Sequence, residues 1–218
     1  MKRQSETHHP QLKTFFLYCG ILMLLSEIWK QWCLTYLVNH GTYYWWHFPF
    51  QLCSIPMYIC LILPWVNSTH VQSVLLAFLM DFGLMGGIFT FFDTSGMHYS
   101  YTPLTIHSFA WHILLIIIGI YAGLGRKADY SNKGYLKTAG IYLACCLIAT
   151  FFNILFHHYG NINMFYISPY YHMRQKAFHI IAMVLGDGVG IAVYIAACLF
   201  GAWILHQMWR KVTGDGGN

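Results

Sequence analysis

Charged residues are scarce in this chain. They make up 9% of its 218 residues, whereas 57% of the residues are hydrophobic. Because soluble domains carry about 25% charged residues, this composition excludes an ordinary water-soluble domain. Once the apolar segments are placed, no room remains for a second domain. We therefore expect a single membrane domain that covers residues 1–218.

Cysteine motifs, internal repeats and a concentrated basic patch are also missing. None of the seven cysteines belongs to a CxxC pair, which argues against a disulfide framework or a zinc cluster. No repeat is visible by eye, which weakens an interpretation as an inverted-repeat transporter. The net charge of +5 arises from short loops and chain ends, so it does not indicate nucleic-acid binding. We expect neither a metal ion nor another cofactor.

Long apolar segments, in contrast, are abundant. A spanning helix needs roughly 20 mostly apolar residues, and six segments qualify. We expect an all-α, polytopic membrane helix bundle with six transmembrane helices. The spans are predicted at about 12–38, 46–66, 70–92, 103–124, 135–156 and 178–208. The first is longer than the apolar core of a signal peptide and lacks a small-residue cleavage site, so we interpret it as a retained anchor.

The basic residues predict the orientation of these spans. Nine of them fall on the side of the N-terminus and two, Arg174 and Lys176, on the other side, while Lys30 lies within the first span. The nine are Lys2, Arg3, Lys13, Arg126, Lys127, Lys133, Lys137, Arg210 and Lys211. By the positive-inside rule both termini are cytoplasmic. We expect a multi-pass protein of a bacterial cytoplasmic membrane.

A cysteine set between two prolines lies near the start of the second span, in the segment FPFQLCSIP at 48–56. Pro56 predicts a kink in this helix. Counted from the outer side, Cys53 and His112 of the fourth span lie roughly 10 Å and 13 Å deep at 1.5 Å per residue. The two side chains are therefore expected at a similar depth. A buried cysteine is also commonly a small packing residue, and this interpretation stays open.

Further polar residues are predicted in the outer half of the bundle. Polar side chains inside a membrane are costly, so each is a functional candidate. The candidates in the later spans are Asp81, His107, Ser108, Asn153 and Asp187. In the first span, Glu27 and Lys30 are three residues apart and able to pair, which also fits a structural ion pair. Together these residues predict a pocket that opens toward the outer leaflet.

These motifs resemble those of the YwaF-like bacterial membrane proteins. The resemblance spans nearly the whole chain and rests on the Pro-x-(His or Gln)-x-Cys motif at 49–53, HSFAWH at 107–112 and NINMF at 161–165. The family's animal relative, transmembrane protein 164, looks like an acyltransferase that moves fatty acyl groups between glycerophospholipids through a cysteine and a histidine. More distant relatives, the androgen-induced membrane hydrolases, use a threonine with a histidine on fatty-acid esters.

The resemblance implies that Cys53 and His112 are catalytic. His112 would act as general base while the Cys53 thiol attacks a lipid ester and forms a thioester. A second lipid alcohol or water would then accept the acyl group. The implied function is that of a membrane acyltransferase or hydrolase, and its partners would be membrane phospholipids or lysophospholipids.

Supporting or substrate-binding roles are expected for five further residues, namely Gln51, Asp81, His107, Asn153 and Asp187. Gln51 or Asn153, or a backbone N–H near Pro56, would donate to the tetrahedral oxyanion. Asp81 or Asp187 would orient the imidazole. Gln51 stands where many bacterial members have histidine, so the chain lacks a second imidazole beside the thiol in this motif.

Other classes of function remain open at this stage. A small-molecule or ion-coupled transporter would use Asp81, Glu27 and Asp187 as coupling sites. A haem or metal protein would use some of the thirteen histidines, but no span has two deep histidines at i, i+3 or i, i+4 spacing. A receptor or structural membrane protein would use none of these residues for chemistry.

Overall fold

The computed structural model describes residues 8–173 and 175–214, and within them the secondary structure is helical with no strand. The α-helices are α1 (His8–Trp32), α2 (Ile55–Ile62), α3 (Thr69–Phe78), α4 (Leu84–Phe89), α5 (Thr102–Leu124), α6 (Asn132–Leu155), α7 (Lys176–Leu185) and α8 (Asp187–Thr213). Two π-helical turns, Cys33–Val38 and Leu79–Gly83, extend α1 and join α3 to α4. Short 3-10 turns lie at Trp45–His47, Leu63–Trp65, Thr90–Phe92, Ser95–Met97, His157–Tyr159 and Met164–Tyr166. The predicted all-α class is confirmed.

Five helical segments of the described chain are long and apolar enough to cross a membrane. They are Gln11–Val38, Thr69–Phe92, Thr102–Leu124, Asn132–Leu155 and Asp187–Thr213. Two shorter apolar helices, Ile55–Trp65 and Lys176–Leu185, fall below that length. The structure therefore supports a multi-pass membrane protein, and it differs from the prediction in the second and sixth spans.

The second predicted span, 46–66, is helical mainly in its second half. After the 3-10 turn Trp45–His47 the chain is irregular until α2 begins at Ile55. Pro56 occupies the first turn of α2, where the missing N–H would have no helical partner, so the predicted kink is wrong. Irregular backbone at membrane depth is tolerated where it is buried in protein or lines a cavity. Segment 48–54 is partly buried, and it contacts Trp111 and Asn163.

The sixth predicted span, 178–208, is divided at Gly186. This residue has a φ of +89°, which glycine adopts far more readily than other residues, and the chain reverses there between α7 and α8. The two helices pack so closely that a Cβ on Gly190 would lie 2.7 Å from the Cβ of Ala182. The last long helix is therefore Asp187–Thr213, and α7 is a separate short helix.

The long segments run alternately between two ends of the bundle. The terminal end holds both ends of the described chain, and there Lys13 Nζ on α1 donates to Pro64 O at 3.3 Å. At the other end, which we call the site end, Gln31 Nε2 donates to His47 O at 2.6 Å. The connections at the site end are 39–54, 93–101 and 156–175.

The segment from α3 to α4 forms the centre of the bundle. Its most apolar window is 72% buried, whereas the windows of the other four long helices are 22% to 39% buried. Phe82 stacks on Phe78 and on Tyr142 of α6, with ring centroids 5.1 Å and 4.8 Å apart. Gly87 brings α4 close to α5, because a Cβ there would lie 3.1 Å from His112 O. This packing fixes α5 beside the bundle centre.

Candidate functional site

Cys53 lies in the irregular segment that precedes α2. Trp111 Nε1 on α5 donates to Cys53 O at 3.1 Å, which ties the segment to the turn of α5 that also carries His112. On the other side, Gln51 Nε2 donates to Asn163 O at 3.0 Å. Segment 48–54 is therefore partly buried and is held between α5 and the loop that carries Asn163.

The Cys53 thiol is half-buried and has hydrogen-bond donors beside it. The hydroxyl of Ser54 and the N–H of Cys53 itself lie close enough to the sulfur to act on it. Ser54 is almost completely enclosed. Donors in this position are suited to stabilise negative charge on a thiolate or on an adjacent tetrahedral oxyanion.

His112 lies on the buried face of α5 and is 8% exposed. Its Nδ1 lies 2.7 Å from Ser108 O. Because a carbonyl oxygen only accepts, Nδ1 must carry the proton, which leaves Nε2 with a lone pair in the neutral ring. This is the tautomer that a general base requires. Among the described residues, no hydrogen bond joins the imidazole to the Cys53 thiol.

His107 and Gln51 contribute buried polar atoms to the same region. The His107 ring packs against Trp29 and Trp111, with centroid distances of 5.6 Å and 5.7 Å. Within the described structure, His107 Nε2 and Gln51 Oε1 are buried without a hydrogen-bond partner. Such atoms are rare and costly in proteins, so they indicate a place where a polar ligand or water completes the site.

Three polar side chains in the last turns of α1 face the site end. Lys30 Nζ pairs with Glu27 Oε2 at 2.7 Å, and Gln31 Nε2 donates to Glu27 Oε1 at 2.6 Å. The charges of Lys30 and Glu27 both act on the Cys53 thiol. Burial lowers the pKa of His47, and the Lys30 ammonium lowers it further. The ion pair therefore belongs to the same polar region as the thiol.

Asn153 supports the 156–175 connection. Its Nδ2 donates to Met164 O at 3.0 Å, and its Oδ1 accepts from the Met164 N–H at 2.7 Å. Both ends of the amide are thus occupied, so Asn153 positions backbone rather than facing an oxyanion. The same connection carries Asn163, which binds Gln51, and Asn153 therefore acts on the Cys53 segment indirectly.

Tyr166 is a neighbour of Cys53 that sequence reasoning missed. Phe165 and Tyr166 both adopt left-handed backbone, with φ values of +56° and +59°. Such strain often occurs at functional sites. Burial raises the pKa of the Tyr166 phenol, and the Cys53 side chain, which interacts with it electrostatically, raises it further. No local signal identifies Tyr166, because this stretch of tyrosines is also typical of an interfacial aromatic belt.

Asp81 lies in a different and fully buried network. Its carboxylate oxygens are 2.9 Å and 3.1 Å from His206 Nδ1, and Thr138 Oγ1 donates to Oδ2 at 3.2 Å. His206 Nε2 lies 3.1 Å from Tyr130 O and from Ser131 O, so this nitrogen carries a proton. Tyr130 and Ser131 belong to the terminal end. The structure therefore does not bring Asp81 to the site end, and His206 was not foreseen.

Asp187 is the first residue of α8 and lies at the surface of the site end. Its Oδ2 is 2.7 Å from Nδ1 of His172, a side chain that is 91% exposed, and its Oδ1 accepts from the Met173 N–H at 3.2 Å. None of these contacts reaches His112. The three carboxylates that a transporter would use for coupling each have a basic partner. Glu27 pairs with Lys30, Asp81 with His206 and Asp187 with His172.

Comparison with known proteins gives one match. The family model described as the TMEM164 family matches residues 1–210 of the chain. No curated protein and no solved structure matches the sequence. The match covers all five long apolar helices almost completely, so it concerns the whole bundle rather than one motif.

Proposed function

Because the chain belongs to the TMEM164 family, we propose that it is a membrane enzyme that transfers or hydrolyses fatty acyl groups of lipid esters. Cys53 is the nucleophile and His112 is the general base. The observation that supports this most strongly is the His112 tautomer with a basic Nε2, one residue from the indole that binds Cys53 O. A basic ring nitrogen and a thiol flanked by donors are the groups that acyl transfer needs.

The first half-reaction forms a thioester. His112 Nε2 takes the thiol proton while Cys53 Sγ attacks the ester carbonyl, and the carbonyl oxygen becomes an oxyanion. The Cys53 N–H and the Ser54 hydroxyl, which lie beside the sulfur, are the proposed donors to that oxyanion, and one such donor contributes about 3 kcal/mol. The ester C–O bond then breaks, and the departing alkoxide takes the proton from His112.

The second half-reaction releases the acyl group. A lipid alcohol or water gives its proton to His112 Nε2 and attacks the thioester carbonyl. The C–S bond breaks, and the thiolate recovers the proton from the imidazolium. An alcohol acceptor makes the enzyme a transferase, and water makes it a hydrolase. No other reactant is required for either outcome.

Proton transfer requires the thiol and the imidazole to come within hydrogen-bond reach, directly or through one water. In active sites such contacts are commonly loose before substrate binds and tighten in the complex. His107 supports the site from the next turn of α5, where its buried Nε2 faces the same region. The proposal assigns the base to His112 and a supporting role to His107.

We use the distribution of basic residues to propose the side from which the substrate enters. Nine basic residues belong to the terminal end in the predicted topology, and the positive-inside rule makes that end cytoplasmic. The site end then faces the outer leaflet. Phospholipids or lysophospholipids of that leaflet are the proposed substrates.

The proposal predicts that Cys53→Ala abolishes acyl turnover, because the thioester cannot form. His112→Ala should lower kcat by about 10²- to 10⁴-fold, the usual contribution of a general base. Turnover is measured on the purified protein in nanodiscs with a phospholipid that carries a radiolabelled acyl chain. A hydroxylamine-sensitive acyl label on the wild-type protein should disappear in Cys53→Ala.

Cys145→Ala is the matched control, since Cys145 is another partly exposed free thiol within an apolar helix. It should keep both the acyl label and normal turnover. Normal turnover in Cys53→Ala would contradict this mechanism. A larger loss in His107→Ala than in His112→Ala would transfer the role of base to His107.

A further inference from the structure

The ion pair on α1 is enclosed on one side only. The Glu27 side chain is 4% exposed, whereas the Lys30 side chain is 19% exposed. Glu27 also accepts a hydrogen bond from Gln31, so Oε2 pairs with Lys30 and Oε1 pairs with Gln31. An ammonium group has three N–H donors, and Glu27 occupies one of them. Each carboxylate oxygen thus has a partner, while the cation is still accessible to a ligand.

The Lys30 ammonium also acts on the titratable groups of the site. Its charge influences Cys53, His107 and His112, as well as His47 in the neighbouring connection. A purely structural ion pair would not need to lie among these groups. Lys30 lies in the last α-helical turn of α1, before the π-helical turn Cys33–Val38, and its ammonium points back to Glu27.

Orphaned polar atoms surround the same pair. Gln31 Oε1, Gln51 Oε1 and His107 Nε2 are buried without partners in the described structure. Gln31 is bonded to Glu27, and the His107 ring packs on Trp29 of the same helix turn as Lys30. Buried polar groups are normally satisfied. The two glutamine oxygens only accept, so they need a hydroxyl group or water, whereas the His107 nitrogen can donate to an anion when it is protonated. The accessible Lys30 ammonium is the group that points to a negatively charged ligand.

We propose that Lys30 is a specificity-determining residue that binds the phosphate of a glycerophospholipid while the acyl ester of that lipid lies at Cys53. The assignment rests on the proposed acyl chemistry at Cys53. A phosphate has the charge and the acceptor oxygens that an ammonium group binds. Only the glycerol carbons and their ester oxygens separate a lipid phosphate from its acyl carbonyl. Glu27 holds the ammonium in place and competes with the phosphate for it.

This role and a structural role predict different results for the two partners. If the pair only stabilises the fold, Lys30→Met and Glu27→Gln both break it and both impair the protein in the same direction. If Lys30 binds phosphate, Lys30→Met weakens phospholipid binding, whereas Glu27→Gln removes the competitor and strengthens it. The double variant Glu27→Gln/Lys30→Met leaves no unpaired buried carboxylate, so it separates loss of the cation from misfolding.

The experiment compares kcat/KM for a phosphatidyl ester with kcat/KM for the diacylglycerol of the same acyl chains, in mixed micelles. We expect the ratio of the two to fall about 10- to 100-fold in Lys30→Met and in the double variant, the range of one charge-assisted hydrogen bond. The ratio should be retained in Lys30→Arg and should rise in Glu27→Gln. Equal ratios in wild type and Lys30→Met would overturn the assignment.

A second measurement does not depend on turnover. A short-chain diether phosphatidyl lipid, which has no acyl ester to cleave, is titrated into Cys53→Ala protein while the intrinsic fluorescence of its eight tryptophans is recorded. Binding should weaken at least about tenfold when Lys30→Met is added. If binding depends on Lys30 but the wild-type protein shows no turnover, the phosphate site stands and the acyl mechanism is wrong. If turnover depends on Cys53 but binding does not depend on Lys30, the acyl mechanism stands and the phosphate site is wrong.

Discussion

At the scale of single residues, the Asp81–His206 pair shows how this bundle accommodates polar groups. Both side chains are completely enclosed, and oxygen atoms face both ring nitrogens of His206. Since Nε2 is protonated, one more proton is shared between Nδ1 and the carboxylate. Removing charge from water is costly, and the cost is offset only while every partner is present. The pair therefore stabilises the packing of α8 on the central segment.

We expect His206→Ala to lower the free energy of unfolding by about 3 to 5 kcal/mol, because it leaves a carboxylate buried without its basic partner. Asp81→Asn should also destabilise the protein, by leaving the imidazole with an amide in place of its acid. The double variant should lose less than the sum of the two, since both changes remove one shared interaction. Denaturant unfolding in detergent measures all three. Strictly additive losses would contradict the coupling.

Sequence reasoning at this scale brought Cys53 and α5 together, but its premise was only partly right. The expected depths of Cys53 and His112 assumed helical rise, whereas segment 48–54 is irregular, and the contact that the structure shows is Trp111 Nε1 donating to Cys53 O. In contrast, 125 residues separate Asp81 from His206, and neither apolar context nor spacing indicates that the two meet. Tyr166 was missed for a related reason. Its position depends on the left-handed backbone of Phe165 and Tyr166, which no local sequence pattern predicts.

At the scale of helices, small residues set how closely neighbours approach. Gly119 on α5 packs against the central segment, where a Cβ would lie 2.6 Å from Leu84 Cβ and 3.0 Å from Leu79 O. One of those atoms is backbone and cannot rotate away. We expect Gly119→Ala to lower the free energy of unfolding by about 1 to 3 kcal/mol through overpacking. The midpoint of thermal unfolding in detergent reports the change.

Gly140→Ala is the matched control for that substitution. Gly140 is also inside a long helix, but a Cβ there meets nothing within 4 Å. Alanine should stabilise α6 by roughly 0.5 to 1 kcal/mol, because it loses less backbone entropy on folding than glycine. If Gly119→Ala were as stable as Gly140→Ala, the close approach of α5 to the centre would be wrong.

The helices themselves were predictable wherever apolar length alone decided them. The predicted spans 103–124 and 135–156 correspond to Thr102–Leu124 and Asn132–Leu155. The last span was extended across Gly186, because an apolar run continues on both sides of a residue whose turn depends on a positive φ. The second span was predicted as a whole helix because its apolar run includes the irregular segment 48–54. Hydropathy does not distinguish helix from irregular chain that is buried in protein.

At the scale of the whole molecule, polar groups are divided between two ends. The Cys53 region and the α1 ion pair lie at the site end, and the Asp81 network lies toward the terminal end. The same alternation of long segments places residue 133 at the terminal end and residue 158 at the site end. From the charge asymmetry we propose that the terminal end faces the cytoplasm and the site end faces the outside.

Cysteine labelling on intact cells tests this orientation. Lys133 and His158 are both exposed, so each accepts a cysteine without disturbing the core. We expect His158→Cys to react with a membrane-impermeant maleimide on intact cells, and Lys133→Cys to react only after permeabilisation, because basic residues resist translocation. The unsubstituted protein measures the background from its seven native cysteines. The opposite labelling pattern would place the site end in the cytoplasm, and the proposed substrates would then be lipids of the inner leaflet.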